Sequence, residues 1–234
     1  MSEQFRQFPN AQVMFSTLAD EIIARLKEAV ASRGVASLVV SGGTTPEALF
    51  ADLSARDAPW DKICITLSDE RWIAPGEDGR NEKMVRAKLL RGKAASARFV
   101  ALKTEETKPE DAQAAVEARI SEMPRPFDVV LVGMGDDGHV ASLYPGAPEL
   151  KAALDTNSPA LVHAVHAQNS AATGDRMTLT LRAILDSRWI VILIKGGEKM
   201  KTYELARSGR SVSQMPVRAL FAQSAVPVET FWSP

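Results

Sequence analysis

Apolar positions along the chain change period repeatedly, and the changes mark out alternating helices and strands. Phe15, Leu18, Ile22, Leu26 and Val30 recur at spacings of three and four, the pattern of one buried helix face, and Gly34 follows as a stop signal. The run Ala36-Ser37-Leu38-Val39-Val40 then reads as a strand. After it, a threonine cap, Pro46 at the first helical position and Glu47 in the first turn predict the start of the next helix. The unit repeats with a strand over Lys62 to Leu67, a polar loop from Ser68 to Arg80 and a helix from Asn81 to Leu90. Lys108 to Met123 reads as a helix closed by Pro124 and Pro126. Phe127 to Val132 and Trp189 to Ile194 are continuous apolar runs, as in strands buried on both faces, and Gly197 to Ser208 is a helix after the second. Strands separated by helices imply right-handed crossovers. The predicted fold is therefore α/β: a single domain over residues 1–234, with a mostly parallel Rossmann-like sheet flanked by helices on both faces. The strand ending at Val132 is expected to be central.

Composition narrows the partners. The 234 residues carry 28 Lys+Arg against 29 Asp+Glu, a net charge of −1, which lacks the basic excess of a nucleic-acid binder. With 45% hydrophobic and 24% charged residues, the chain falls in the ordinary globular range. The one cysteine, Cys64, sits within a strand pattern, is expected in the core, and fits a reducing compartment. No apolar run follows Met1 to Arg6, so no signal peptide is expected, and the longest apolar stretches are too short to span a bilayer. The expectation is a soluble cytoplasmic protein, a monomer or small homo-oligomer, acting on a small molecule without nucleic acid or membrane.

Ligands of open parallel sheets sit beyond the carboxyl ends of the strands. Three strand candidates end in unusual loops: Ser41-Gly42-Gly43-Thr44-Thr45-Pro46, Ser68-Asp69-Glu70-Arg71-Trp72 and Gly133-Met134-Gly135-Asp136-Asp137-Gly138-His139. In the first, adjacent glycines, two threonine hydroxyls and a helix N-terminus have the chemistry of a phosphate cradle, though an ordinary strand-to-helix turn has the same composition. No Gly-Lys-Ser/Thr follows, so it is not the nucleotide P-loop. In the second, Arg71 held by Asp69 and Glu70 would stabilise negative charge at a reacting centre; the plainer alternative is a solvated loop with a local ion pair. Trp72 either covers the site or packs. The third formally matches the dinucleotide pattern G-x-G-x-x-G, but Asp136 and Asp137 would face a pyrophosphate and Pro145 leaves little room for the helix. It reads better as a glycine-shaped loop presenting Asp137 with His139, a general base beside a carboxylate. His163 and His166 are expected in surface or core roles. No ligand set has structural-zinc spacing, and Ser41 lacks the G-x-S-x-G elbow, so neither a metal nor a serine triad is expected.

These loops carry a resemblance over nearly the whole chain. Ser41 to Pro46 resembles the Ser-Gly-Gly-x-Thr-Pro of the 6-phosphogluconolactonases, relatives of glucosamine-6-phosphate isomerase/deaminase. Asp69-Glu70-Arg71, with Asn81 closing the loop, is similar to the family's Asp-Glu-Arg element. Gly133 to Gly146 is similar throughout to its Gly-Met-Gly-x-Asp-Gly-His-x-Ala-Ser-Leu-[Phe/Tyr]-Pro-Gly. Arg176-Met177-Thr178-Leu179-Thr180 and Gly196-Gly197-Glu198-Lys199 resemble its Arg-x-Thr-Leu-Thr and Gly-x-x-Lys. The resemblance implies hydrolysis of 6-phospho-D-glucono-1,5-lactone to 6-phospho-D-gluconate, the second step of the oxidative pentose phosphate pathway, with no metal or organic cofactor. It implies a catalytic group of His139, Asp137, Arg71 and Asp69, with His139 activating water. It places Gly42, Gly43, Thr44, Thr45, Arg176 and Lys199 around the substrate phosphate.

Two departures stand out. Ala171 to Asp175 replace the family's usual Lys-Pro-Pro, and Arg80-Asn81 replaces Ser-Asn, making Arg80 a bystander or an added anion contact. The isomerase/deaminase branch is the alternative, but it has Asp-Glu-Tyr and Phe-Asn-Glu-Pro where this chain has Asp69-Glu70-Arg71 and Ser142-Leu143-Tyr144-Pro145. A sugar-phosphate sensor without catalysis would need the phosphate ligands and no base.

Overall fold

The computed structural model describes residues 3–74, 77, 79–169 and 172–234. In chain order the strands are β1 (Gln4–Gln7), β2 (Ala36–Val40), β3 (Ile63–Leu67), β4 (Asp69–Arg71), β5 (Arg98–Val100), β6 (Val129–Val132), β7 (Val162–Asn169), β8 (Ala172–Leu179), β9 (Ile190–Lys195) and β10 (Val228–Ser233). The helices are α1 (Ala11–Arg33), α2 (Glu47–Ala55), α3 (Asn81–Lys88), α4 (Pro109–Ser121), α5 (Leu150–Ala153), α6 (Leu181–Leu185), α7 (Gly197–Ser208) and α8 (Arg218–Ala222).

Among the described residues, seven strands pair in the order β1-β10-β9-β6-β2-β3-β5, every neighbouring pair parallel. The expected parallel α/β sheet is present, and β6 is its central strand. The strands expected from the sequence, β2, β3, β6 and β9, are all inner ones and almost wholly buried; β10, also inner, is not among those expected, and the edges β1 and β5 are short and partly exposed. From β2 the chain advances outward to β3 and β5, whereas from β6 it advances the other way to β9. Crossovers of one hand must then place helices on opposite faces, and the β2/β6 boundary is the topological switch point.

α1 follows its periodicity. Met14, Leu18, Ile22 and Leu26 are fully buried, Asn10 caps the N-terminus by accepting from Val13 N–H at 2.9 Å, and Gly34 ends it at φ 80°. Cys64 is buried in β3 as expected.

Two expectations about local structure need correction. Ser68 to Arg80 is not one loop, because Asp69–Arg71 forms β4. Its partner β8 pairs in turn with β7, giving an antiparallel three-stranded sheet, β4-β8-β7, beside the main one. Local patterning missed it because a three-residue strand has no period and its partner lies a hundred residues on. No threonine side chain caps α2 either; Pro46 itself occupies the cap position. Of the departing segment 171–175, Ala171 lies outside the described residues, and the remainder begins β8.

Candidate active site

A cavity of about 570 Å³ opens at the switch point, beyond the carboxyl ends of β2 and β6. It is lined by the 41–46 loop from β2, by the 133–146 loop from β6, by β4 and β8 of the small sheet, and by the first turn of α7. Of the residues expected at the site, Gly42, Gly43, Thr44, Thr45, Asp69, Arg71, His139, Arg176 and Lys199 all line it. Asp137 is not among the lining residues and contacts the ring of His139, which is.

The 133–146 loop is shaped around the His139 imidazole. Gly138 turns at φ 77°, its N–H donating to Gly135 O at 3.0 Å, and Gly135 N–H donates to His139 O at 2.9 Å. A Cβ on Gly135 would lie 2.1 Å from the ring, so no other residue fits there. Asp137 Oδ1 accepts from the His139 backbone N–H at 3.1 Å and contacts Nδ1 at 2.6 Å. Burial works to raise the Asp137 carboxyl, but the His139 ring and backbone hydrogen bonds outweigh it and hold the group below its ordinary value. An ionised carboxylate can only accept, so Nδ1 carries the hydrogen and the Nε2 lone pair is left for chemistry. Ala141, with φ 50°, is a non-glycine residue in the left-handed region within this loop.

Strand alternation divides Asp69-Glu70-Arg71 between two faces, so no ion pair forms within it. Asp69 and Arg71 face the cavity. Asp69 accepts from Ser142 Oγ at 2.6 Å and Ser68 Oγ at 3.0 Å, while Arg71 donates to the Gly79 carbonyl. Glu70, fully buried on the other face, accepts from the backbone N–H groups of Asn81, Glu82 and Arg71 at 2.7–2.8 Å. It thereby satisfies the N-terminus of α3 from a neighbouring strand. Burial pushes its carboxyl up against the pull of those donors. Asn81 then donates to Asp69 O at 2.8 Å and packs so tightly on Gly42 that a Cβ there would lie 2.0 Å from its Oδ1. One network thus sets both the Arg71 strand and the glycine loop.

The cationic end is built from separate elements. Arg176 on β8 is 7% exposed, and its Nε has no hydrogen-bond partner among the described residues. Its guanidinium lies 5.4 Å from the Tyr144 ring, which also meets the His139 ring at 4.3 Å. Lys199, in the first turn of α7, pairs with Asp136 Oδ1 at 2.7 Å. Neither α2 nor α7 has a side-chain cap, so backbone donors at both N-termini are unmatched by hydroxyls.

Sequence reasoning missed Tyr144 as a site residue, its one signal being the aromatic position in the resemblance motif. Burial, then the Asp69 charge, raises its hydroxyl above the ordinary value, keeping it an O–H. Trp72 does not cover the cavity; it is buried and donates from Nε1 to the Glu106 and Thr107 carbonyls. Arg80 does not line the cavity and pairs with Glu82. The other histidines lie outside it: on β7, His166 Nδ1 is 2.9 Å from Glu149 and Nε2 is 2.6 Å from Glu110. Past Gly138 the dinucleotide pattern's long helix is missing; the next helix, α5, has four residues. Among the described residues no group of three or more His, Cys, Asp or Glu side chains is arranged to hold a metal ion.

A parallel α/β protein with a cation-lined cavity at its switch point is the class that fold and cavity define, and residues 9–232 match the family described as glucosamine-6-phosphate isomerases/6-phosphogluconolactonase. The chain belongs to this family. Among its relatives, the 6-phosphogluconolactonase of Rhizobium meliloti is 39% identical over 234 residues, covering 100% of both chains. That of Mesorhizobium japonicum is 40% identical over 233 residues, 100% of this chain and 96% of the relative. The crystal structure of a 6-phosphogluconolactonase from Shewanella baltica superposes with a TM-score of 0.95 at 41% identity, over 99% of this chain and 98% of the other. Among the described residues no helix is long and apolar enough to cross a membrane.

Proposed function

We propose that residues 1–234 act as one domain that hydrolyses 6-phospho-D-glucono-1,5-lactone to 6-phospho-D-gluconate in the oxidative pentose phosphate pathway, in the cytoplasm. The observation that carries the reading is the Asp137–His139 contact of 2.6 Å in a cavity that also holds Arg71, Arg176 and Lys199. His139 supplies a base, and the cations supply positive charge for an oxyanion and a phosphate.

A lactone has an activated carbonyl, so a positioned water, a base and charge stabilisation suffice. His139 Nε2 takes a proton as the water oxygen bonds to C1. Asp137 keeps the ring in the acting tautomer and stabilises the imidazolium. Arg71, with Asp69 beside it, offsets negative charge on the former carbonyl oxygen. The adduct collapses by breaking the bond from C1 to the ring oxygen, which takes the proton from His139 and leaves as a hydroxyl. Arg176, Lys199 and the 42–45 loop hold the phosphate, whose binding energy keeps the lactone in register.

A three-way assay tests this: lactone hydrolysis above the spontaneous rate, ammonia release from glucosamine 6-phosphate, and binding without turnover. Catalysed hydrolysis is expected. Ammonia release would move the chain to the isomerase/deaminase branch, and binding alone would make it a sensor.

A further inference from the structure

The cations at the phosphate end are not in the same state. Arg176 is buried with Nε unmatched, whereas Lys199 already has a carboxylate on its ammonium, Asp136 Oδ1 at 2.7 Å from Nζ. The partners differ in freedom: the Asp136 side chain is 80% exposed and that of Lys199 29%. Glu198, the other acid in that turn of α7, is 2.7 Å from Lys201 instead. Both Asp136 and Lys199 line the cavity, so an anion approaching Nζ meets a carboxylate already in place.

We propose that Asp136 competes with the substrate's phosphate for Lys199, a positioning residue that acts through the lysine and sets how tightly phosphorylated molecules are held. The inference rests on the reading of Lys199 as a phosphate ligand. Two effects have the same sign. The phosphate must displace Asp136 from Nζ, and the displaced carboxylate remains a like charge beside the dianion. An ion pair with one largely exposed member is weak, so exchange is accessible at ordinary substrate concentrations. The product carries a phosphate and a new carboxylate, so a site that holds anions too tightly would retain it. Asp136 relieves that retention.

Binding of inorganic phosphate and of 6-phosphogluconate is to be measured by calorimetry on the native chain, Asp136→Asn, Lys199→Ala and the double variant. Lys199→Ala should weaken both ligands. Asp136→Asn should tighten both about three- to tenfold. That gain should shrink in the Lys199→Ala background, and KM for the phosphorylated lactone should fall while KM for unphosphorylated glucono-1,5-lactone stays put. If Asp136→Asn leaves affinity unchanged or lowers it while Lys199→Ala still weakens binding, the competition is refuted and the phosphate reading stands. If Lys199→Ala changes nothing, the phosphate role of Lys199 falls and the competition with it.

Discussion

Arg71 and Arg176 are register partners on the antiparallel β4–β8 pair, so their side chains leave the same face of the small sheet, and both line the cavity. Like charges directly opposite one another destabilise a sheet. A fold that brings Arg71 and Arg176 to one face of a ladder, in a cavity that Lys199 also lines, is arranged for an anionic guest. The pairing also explains why segments a hundred residues apart serve one site: β4 and β8 are a single ladder.

Arg176→Ala should therefore weaken binding of the phosphorylated lactone about tenfold or more, since a charge-assisted contact to a phosphate is worth about 1.5–3 kcal/mol. Turnover of unphosphorylated glucono-1,5-lactone should be nearly indifferent to the change. Steady-state kinetics on both lactones check it, and equal losses on the two would remove Arg176 from phosphate recognition.

His139→Asn should lower kcat by about 10²–10⁴-fold, the usual contribution of a positioned base, with substrate affinity little changed. The decisive pair of measurements is kcat and melting temperature on the same variant: a folded protein with more than a third of normal kcat rules the imidazole out.

Glycine tests must respect backbone conformation. Gly43 has φ 93°, so any side chain there is strained whatever space surrounds it. Gly133 lacks that constraint, lines the cavity, and has nothing within 4 Å of a built Cβ. Gly133→Ala should leave the melting temperature within about 2 °C of the native value and raise KM severalfold. A collapse of stability with unchanged KM would make the position structural.

Glu70→Ala strips three backbone donors of a buried acceptor and should cost about 3 kcal/mol, a fall of roughly 6–12 °C in Tm for a chain of this size. Because the same carboxylate fixes Asn81 and the Arg71 strand, kcat/KM should fall as well. Thermal unfolding with kinetics at 25 °C checks both.

His166 makes a pH-dependent contribution to stability. The Glu149 hydrogen bond raises it above its ordinary 6.5, burial opposing and the Glu110 and Asp175 charges adding. A raised folded value means the stabilisation is fully present below the unfolded value and fades as pH rises through the folded one. Relative to His166→Gln, the native chain should thus be more stable near pH 5.5 and lose that advantage on titration to about pH 8.5. Melting curves across that range check it, and a pH-independent difference would refute it.

The inner sheet was legible because its strands are buried on both faces and therefore uniformly apolar, as in Val129 to Val132. The loops were legible because glycine and proline mark backbone that side chains must avoid, as Gly135 does under His139. What stayed hidden depends on distant pairing. β4 is a strand only because β8 arrives beside it, Glu70 is an N-terminal cap only because α3 starts next to β4, and Tyr144 joins the site only once the 133–146 loop folds back over Arg176. The missing threonine cap on α2 has a different origin. A threonine before Pro-Glu favours capping locally, but this helix starts in a cavity where an anion can take that part.

β1 enters the sheet through β10 alone: Gln4 to Gln7 pair with Glu229 to Trp232, and the Phe8 N–H donates to the Trp232 carbonyl at 2.9 Å. During translation the first strand thus leaves the ribosome long before its neighbour exists, waiting roughly 10–50 s at about 5–20 residues per second. β10 must also insert between β1 and an already completed β9, whose Ile190-Val191-Ile192-Leu193-Ile194 run offers an open row of hydrogen-bonding groups until then. Such an edge recruits other chains. A chain lacking Val228 to Ser233 would carry that row of groups exposed.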